Sequence, residues 1–106
     1  MEKSIARIVL TSSSSHDEAA RLARVLVEER LAACVSILPG AESLYRWQGA
    51  VESAREELLF IKTTEERLDA LQARLLALHS YETPEFLVLS VEAGSSAYLR
   101  WLQASV

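Results

Sequence analysis

Leu31-Ala32-Ala33-Cys34-Val35-Ser36-Ile37-Leu38-Pro39-Gly40-Ala41-Glu42-Ser43-Leu44-Tyr45-Arg46-Trp47-Gln48-Gly49 is the stretch on which the fold turns. It leaves a helix, becomes a β-branched strand, is broken at Pro39-Gly40, and resumes as an aromatic strand. Pro39 cannot donate to a ladder and Gly40 permits a bend, so the pair marks a bulge or an edge. Gln48-Gly49 turns the chain back toward Leu58-Leu59-Phe60-Ile61. The result is a hairpin, Cys34 to Trp47 out and Val51 to Thr63 back, too long for one small sheet. A two-stranded tip is unstable alone, so it needs a second surface to lie on. The expectation is an obligate homo-oligomer.

Outward from this hairpin, Ile5 to Leu10 reads as a buried strand. Thr11 to Ser15 reads as a polar loop. Ser15 and Glu18 fit a capping box opening a helix that runs to about Ala32. Its apolar stripe holds Ala19, Leu22, Leu26 and Ala33, and Asp17–Arg21 and Arg24–Glu28 are i,i+4 pairs on the solvated face. After the hairpin, Thr63 and Glu66 suggest a second capping box. The helix that follows runs to about His79, with Leu68, Leu71, Leu75 and Leu78 on one face. Pro84 ends helical geometry in the loop 79–85. Phe86 to Val91 is the last long strand, and Ser95 or Ser96 caps a short terminal helix.

The order β-α-β-β-α-β with a C-terminal helix is the ferredoxin-like plan of the α+β class, within a single domain spanning 1–106. Right-handed crossovers place both long helices on one sheet face. Yet Leu58 to Ile61 and Phe86 to Val91 are apolar on both alternations, so the other face also calls for burial, which self-association would supply.

The 106 residues are half hydrophobic and one quarter charged, with a formal net charge of -4. Scattered basic residues in an acidic chain do not make a nucleic-acid surface. Cys34, the only cysteine, permits no internal disulfide and suits a reducing cytosol. No signal-peptide pattern and no transmembrane run is expected, so the reading is cytoplasmic with no membrane partner.

No catalytic module is legible. Cys34 has no basic neighbour to lower its pKa, and Thr11 to Ser15 is neither a nucleophile elbow nor a glycine-rich phosphate loop. This weighs against an acylphosphatase-like hydrolase, and apolar strands weigh against an RNA-stacking platform. Two constellations remain. His79, Glu82 and Glu85, one imidazole and two carboxylates in a seven-residue loop, suit a borderline divalent ion such as copper or zinc, or else form a solvated loop. Tyr45, Arg46 and Trp47, with Lys62, Tyr81 and Trp101, suit a pocket for a planar anion, or else anchor a subunit interface with Leu44. Lys62 at the end of an apolar strand calls for a carboxylate, Glu82 or Glu85.

Several stretches taken together resemble the CutA family of divalent-cation tolerance proteins: Leu31-Ala32-Ala33-Cys34, Ile37-Leu38-Pro39-Gly40, Ser43 through Gly49, Lys62-Thr63-Thr64, Tyr81-Glu82-Thr83-Pro84-Glu85 and Tyr98-Leu99-Arg100-Trp101-Leu102. The resemblance spans essentially the whole chain. It implies a heat-stable, ferredoxin-like homotrimer whose strands pair across subunits, cytoplasmic in bacteria. It also implies a link to copper and other divalent cations, with no general enzymatic activity and no required cofactor. A bacterial pattern of the family places a Cys where this chain has Thr11 and a His pair where it has Leu78 and His79, so one of three ligands matches. A second expectation, from architecture shared with trimeric nitrogen-regulatory PII proteins, is a signalling module holding a small anion in inter-subunit clefts.

Overall fold

The computed structural model describes all residues from Met1 to Val106. Strands are β1 (Glu2–Lys3), β2 (Ala6–Ser13), β3 (Cys34–Trp47), β4 (Ala50–Thr64), β5 (Leu87–Ser90) and β6 (Ala93–Gly94). Helices are α1 (His16–Glu28), α2 (Leu68–Leu78) and α3 (Ser96–Ala104). The main sheet is antiparallel in the order β3-β4-β2-β5, the expected ferredoxin-like arrangement, while β1 and β6 form a small separate pair.

The hairpin has the expected course. Leu38 pairs with Leu58 and Ala41 with Glu56, so one extra residue is inserted at Pro39-Gly40. Gly40 there takes φ +76°, a left-handed conformation that bulges favour and that glycine adopts without Cβ strain. Gln48 and Gly49 both have positive φ, 49° and 80°, the geometry of a two-residue turn whose twist matches that of the strands. Only Glu57 to Thr64 of β4 pairs with β2. The ribbon from Ala41 to Glu56 therefore projects beyond the sheet and stretches the molecule to 45 × 25 × 23 Å.

Strand alternation sends Val9, Leu59 and Ile61 toward the helices, where they pack with Leu22 and Leu26 of α1 and Leu71 and Leu75 of α2. The opposite residues, Ile8, Leu10, Leu58, Phe60, Leu87 and Leu89, form a second apolar face. At one end α3 covers it, through Leu99 and Leu102 packed with Ala6 and Ala33. The rest is open: Leu38, Leu87 and Leu89 are each about half exposed.

Four local expectations are corrected. α1 stops at Glu28, four residues early. The Arg30 N–H bonds Val27 O and the Leu31 N–H bonds Leu26 O, with Arg30 at φ 58°. This is a Schellman closure made without glycine, and Leu31 to Ala33 are buried by tertiary packing rather than by helix. The second capping box is absent. Thr63 Oγ1 instead donates to Leu31 O at 2.7 Å, and a 3-10 turn over Glu65–Arg67 leads into α2. Asp17–Arg21 is replaced by Arg21–Glu18 at 3.9 Å, whereas Arg24–Glu28 forms at 3.3 Å.

The fourth correction concerns Thr11 to Ser13, which are buried strand and not loop. Pairing with Leu59, Leu58 and Glu57 carries β2 past its apolar run. The Ser12 and Ser13 hydroxyls find carboxylate partners, but Thr11 Oγ1 is buried with none. An unpaired buried hydroxyl is destabilising, so Thr11→Val is expected to raise unfolding free energy by about 1 kcal/mol, read as a higher denaturant midpoint at unchanged m-value. A lower midpoint would mean that this hydroxyl has a partner.

Candidate functional site

The site is built where three segments meet: the end of β2, the projecting half of the hairpin, and the loop 79–86 after α2. The loop is fastened from below by buried polar groups. Ser15 caps α1 as expected, accepting from the Glu18 N–H at 3.1 Å. Glu18 does not return the bond of a capping box. It lies on the buried stripe four residues before Leu22, accepting from Ser13 Oγ at 2.6 Å and from the Ser80 N–H at 2.9 Å. Burial opposes its charge, but the hydrogen bonds from Ser13 and Ser80 hold its carboxyl below the usual carboxylate value.

His79 is buried, and both ring nitrogens are committed. Nε2 lies 2.6 Å from Ser12 O, a pure acceptor, so it carries the proton. Nδ1 accepts the Tyr81 N–H at 3.0 Å. This neutral tautomer has no lone pair left for a cation. The Tyr81 ring lies against the His79 ring, tilted by 47° with centroids 4.7 Å apart. Its hydroxyl donates to Glu56 Oε2 at 2.7 Å, and Ser12 Oγ donates to the same oxygen at 3.0 Å. Burial again opposes the Glu56 charge, but the bonds from Tyr81, Ser43 and Ser12 outweigh it and lower its pKa. Desolvation, and then the bond to Glu56, raise the Tyr81 phenol well above the ordinary tyrosine value.

Above this floor opens a cavity of about 560 Å³, walled by Ser43, Leu44, Tyr45 and Trp47 of the hairpin, Glu56 of β4, and Tyr81, Glu82, Thr83 and Glu85 of the loop. The structure thus merges parts of the two sequence constellations. Tyr45, Trp47 and Tyr81 come together with Glu82 and Glu85. His79 is beneath the wall and holds it in place. Arg46 and Lys62 do not line the cavity. Lys62 Nζ is instead 3.4 Å from Tyr98 Oη and 5.7 Å from that ring's centroid, so its expected partner Glu82 or Glu85 is replaced by an aromatic hydroxyl. Trp101 is on α3, its ring 5.4 Å from that of Tyr98, and is about half exposed.

Within one chain, no three His, Cys, Asp or Glu side chains converge as a metal-holding group, so His79, Glu82 and Glu85 are not such a set. The residues that sequence reasoning missed are Ser12, Ser13, Glu18 and Glu56. Glu18 had a signal, its position on the apolar stripe of α1. Glu56 had none, because polar tip residues of a hairpin alternate without regard to which face meets a loop.

Residues 7–105 match the family model of the CutA1 divalent ion tolerance protein. A divalent-cation tolerance protein CutA of Thermus thermophilus is 47% identical over 96 residues, covering 91% of this chain and 93% of its own. A chloroplastic CutA 1 protein of rice is 44% identical over 98 residues, covering 92% of this chain and 55% of its own. The structure of CutA from Synechococcus elongatus superposes with a TM-score of 0.95 at 48% identity, covering 99% of this chain and 93% of that one.

Proposed function

Because the chain belongs to the CutA1 divalent ion tolerance family, we propose that it acts in divalent-cation tolerance as a self-associated, non-enzymatic protein that binds its cargo cations weakly. The observation that carries the binding step is the composition of the cavity. Glu82 and Glu85 stand on its wall beside Glu56, and no basic residue lines it. Carboxylates suit hard and borderline divalent ions, copper and zinc included. Few donors from one chain, with the His79 lone pair already used, mean low affinity unless a neighbouring copy completes the shell. Neither Arg46 nor Lys62 lines this cavity, so within one chain nothing on its walls favours an anion.

Self-association is supported by β5. It is an edge strand on which Leu87, Val88 and Leu89 are 56%, 43% and 47% exposed, beside the open apolar face. Leu44 on the projecting ribbon and Trp101 on α3 are similarly bare. A homotrimer of the kind the family resemblance implies would pair ribbon and edge of neighbouring copies. The relatives are named for tolerance and not for a reaction, in keeping with a protein that holds ions without transforming them. No helix is long and apolar enough to cross a membrane. A cytoplasmic setting is part of the proposal, supported by the lone cysteine, although the rice relative is named chloroplastic.

Calorimetric titration with Zn²⁺ and Cu²⁺ tests the binding step. The wild type is expected to bind, and Glu82→Gln/Glu85→Gln to bind at least about tenfold more weakly, since two formal charges leave the site. Equal affinity in the double variant would remove these carboxylates from cation binding. His79→Ala is expected to disturb the loop rather than delete a ligand.

A further inference from the structure

We infer that the cavity between the hairpin and the loop 79–86 is a binding site for an organic ammonium ion, held by aromatic faces and an uncompensated carboxylate. This goes beyond the divalent-cation reading and does not rest on it. Three aromatic side chains, Tyr45, Trp47 and Tyr81, wall a space of about 560 Å³, within the range of small-molecule sites. Tyr45 and Trp47 are 45% and 48% exposed, so their rings offer bare surface to an occupant.

The charge of the walls selects the occupant. Glu56, Glu82 and Glu85 line the cavity, and none forms an ion pair with Lys, Arg or His. Glu56 is held by hydroxyl donors alone, from Tyr81 and Ser12. Neutral donors fix a carboxylate in place without cancelling its field, so the cavity keeps a negative potential. That excludes an anion and leaves a neutral ligand without use for the charge.

Between a bare metal ion and an organic cation, the rings decide. A hydrated metal ion held weakly at Glu82 and Glu85 makes little use of the aromatic wall. An alkylammonium ion has weakly hydrated methyl or methylene groups that lie against Tyr and Trp faces, with a diffuse charge that both rings and carboxylates attract. Rigid positioning of Tyr81, through its backbone bond to His79 and its hydroxyl bond to Glu56, means that little ordering is left to do on binding.

The test compares choline with its uncharged isostere 3,3-dimethylbutan-1-ol, titrated calorimetrically into the intact wild-type protein. Shape and size are matched, so the difference reads charge recognition. Choline is expected to bind saturably and the neutral alcohol at least about tenfold more weakly. Trp47→Ala and Glu56→Gln, checked for native circular dichroism, are each expected to weaken choline about tenfold, with Glu28→Gln on the far side of α1 as an unchanged control. Absence of choline binding at millimolar concentration, or equal binding of both probes, overturns the inference. Because that comparison uses only the wild type, a variant that fails to fold does not blunt it. Loss of Zn²⁺ binding in Glu82→Gln/Glu85→Gln bears on the tolerance reading alone.

Discussion

A Leu89→Lys variant is expected to run as a folded monomer where the wild type runs as an oligomer. Leu89 pairs with Ile8 and shares its face, the one turned away from α1 and α2. It is 47% exposed on the edge strand β5. In a free subunit this combination presents unpaired backbone N–H and C=O groups beside bare leucine, the arrangement that recruits another strand. Burying one leucine on association contributes about 1.5–3 kcal/mol. Replacing it with an ammonium removes that gain and adds a desolvation cost, so the dissociation constant should rise about a hundredfold or more at each interface. The fold should survive, because the core formed by Val9, Leu22, Leu26, Leu59, Ile61, Leu71 and Leu75 does not include Leu89. Native mass spectrometry at micromolar concentration reads the outcome. A variant that keeps the wild-type mass would move the interface elsewhere, and a monomeric wild type would overturn self-association itself. Glu66→Lys, exposed at the start of the segment after β4, is the neutral control.

The second large effect is expected at Glu18. Its carboxylate ties together α1, β2 and the loop after α2, accepting from Ser13 Oγ and the Ser80 N–H while only 6% exposed. Glu18→Ala leaves both donors in a site that water cannot fill well. Hydrogen bonds to charged groups are worth about 1.5–3 kcal/mol each, so a loss of about 3 kcal/mol is expected, compared at fixed protein concentration because association and folding are linked. The pH dependence follows from the same geometry. The Glu18 pKa is lowered in the folded state from the ordinary 4.5. The unfolded chain therefore takes up its proton first. The stabilisation is fully present above about pH 4.5 and is lost as pH falls through the lower folded value. Glu56 adds to the same acid limb. Wild type should lose denaturant midpoint below pH 4.5 more steeply than Glu18→Ala. Parallel acid limbs would place the responsible carboxylates elsewhere. The consequence for function is local: acid that frees Glu18 frees Ser80, and with it the wall formed by Tyr81, Glu82 and Glu85.

Much of the fold is legible in the residues because it depends on short-range rules. Pro39-Gly40 and Gln48-Gly49 declare a bulge and a turn through backbone sterics alone, and both stand where they read. Leucine spacing marks the helices and β-branched runs mark the strands. Helix and strand limits are less legible where tertiary pairing overrides local chemistry. Thr11-Ser12-Ser13 looks like a loop by composition, yet β4 holds it in the sheet, and carboxylates from α1 and β4 satisfy the Ser12 and Ser13 hydroxyls.

The sequence by itself determined the β-α-β-β-α-β order, the over-long hairpin and the excess of apolar sheet surface, since periodicity and turn chemistry are properties of neighbouring residues. Only the tertiary structure decided which polar groups meet. His79, read as a ligand beside Glu82 and Glu85, is drawn under the loop by Ser12 O, 67 positions away, and Tyr81 is joined to Glu56 across 25. Hydrogen bonds between distant segments depend on register and crossover geometry, which no local pattern records. The same folding step turns two separate constellations into one acidic, aromatic cavity.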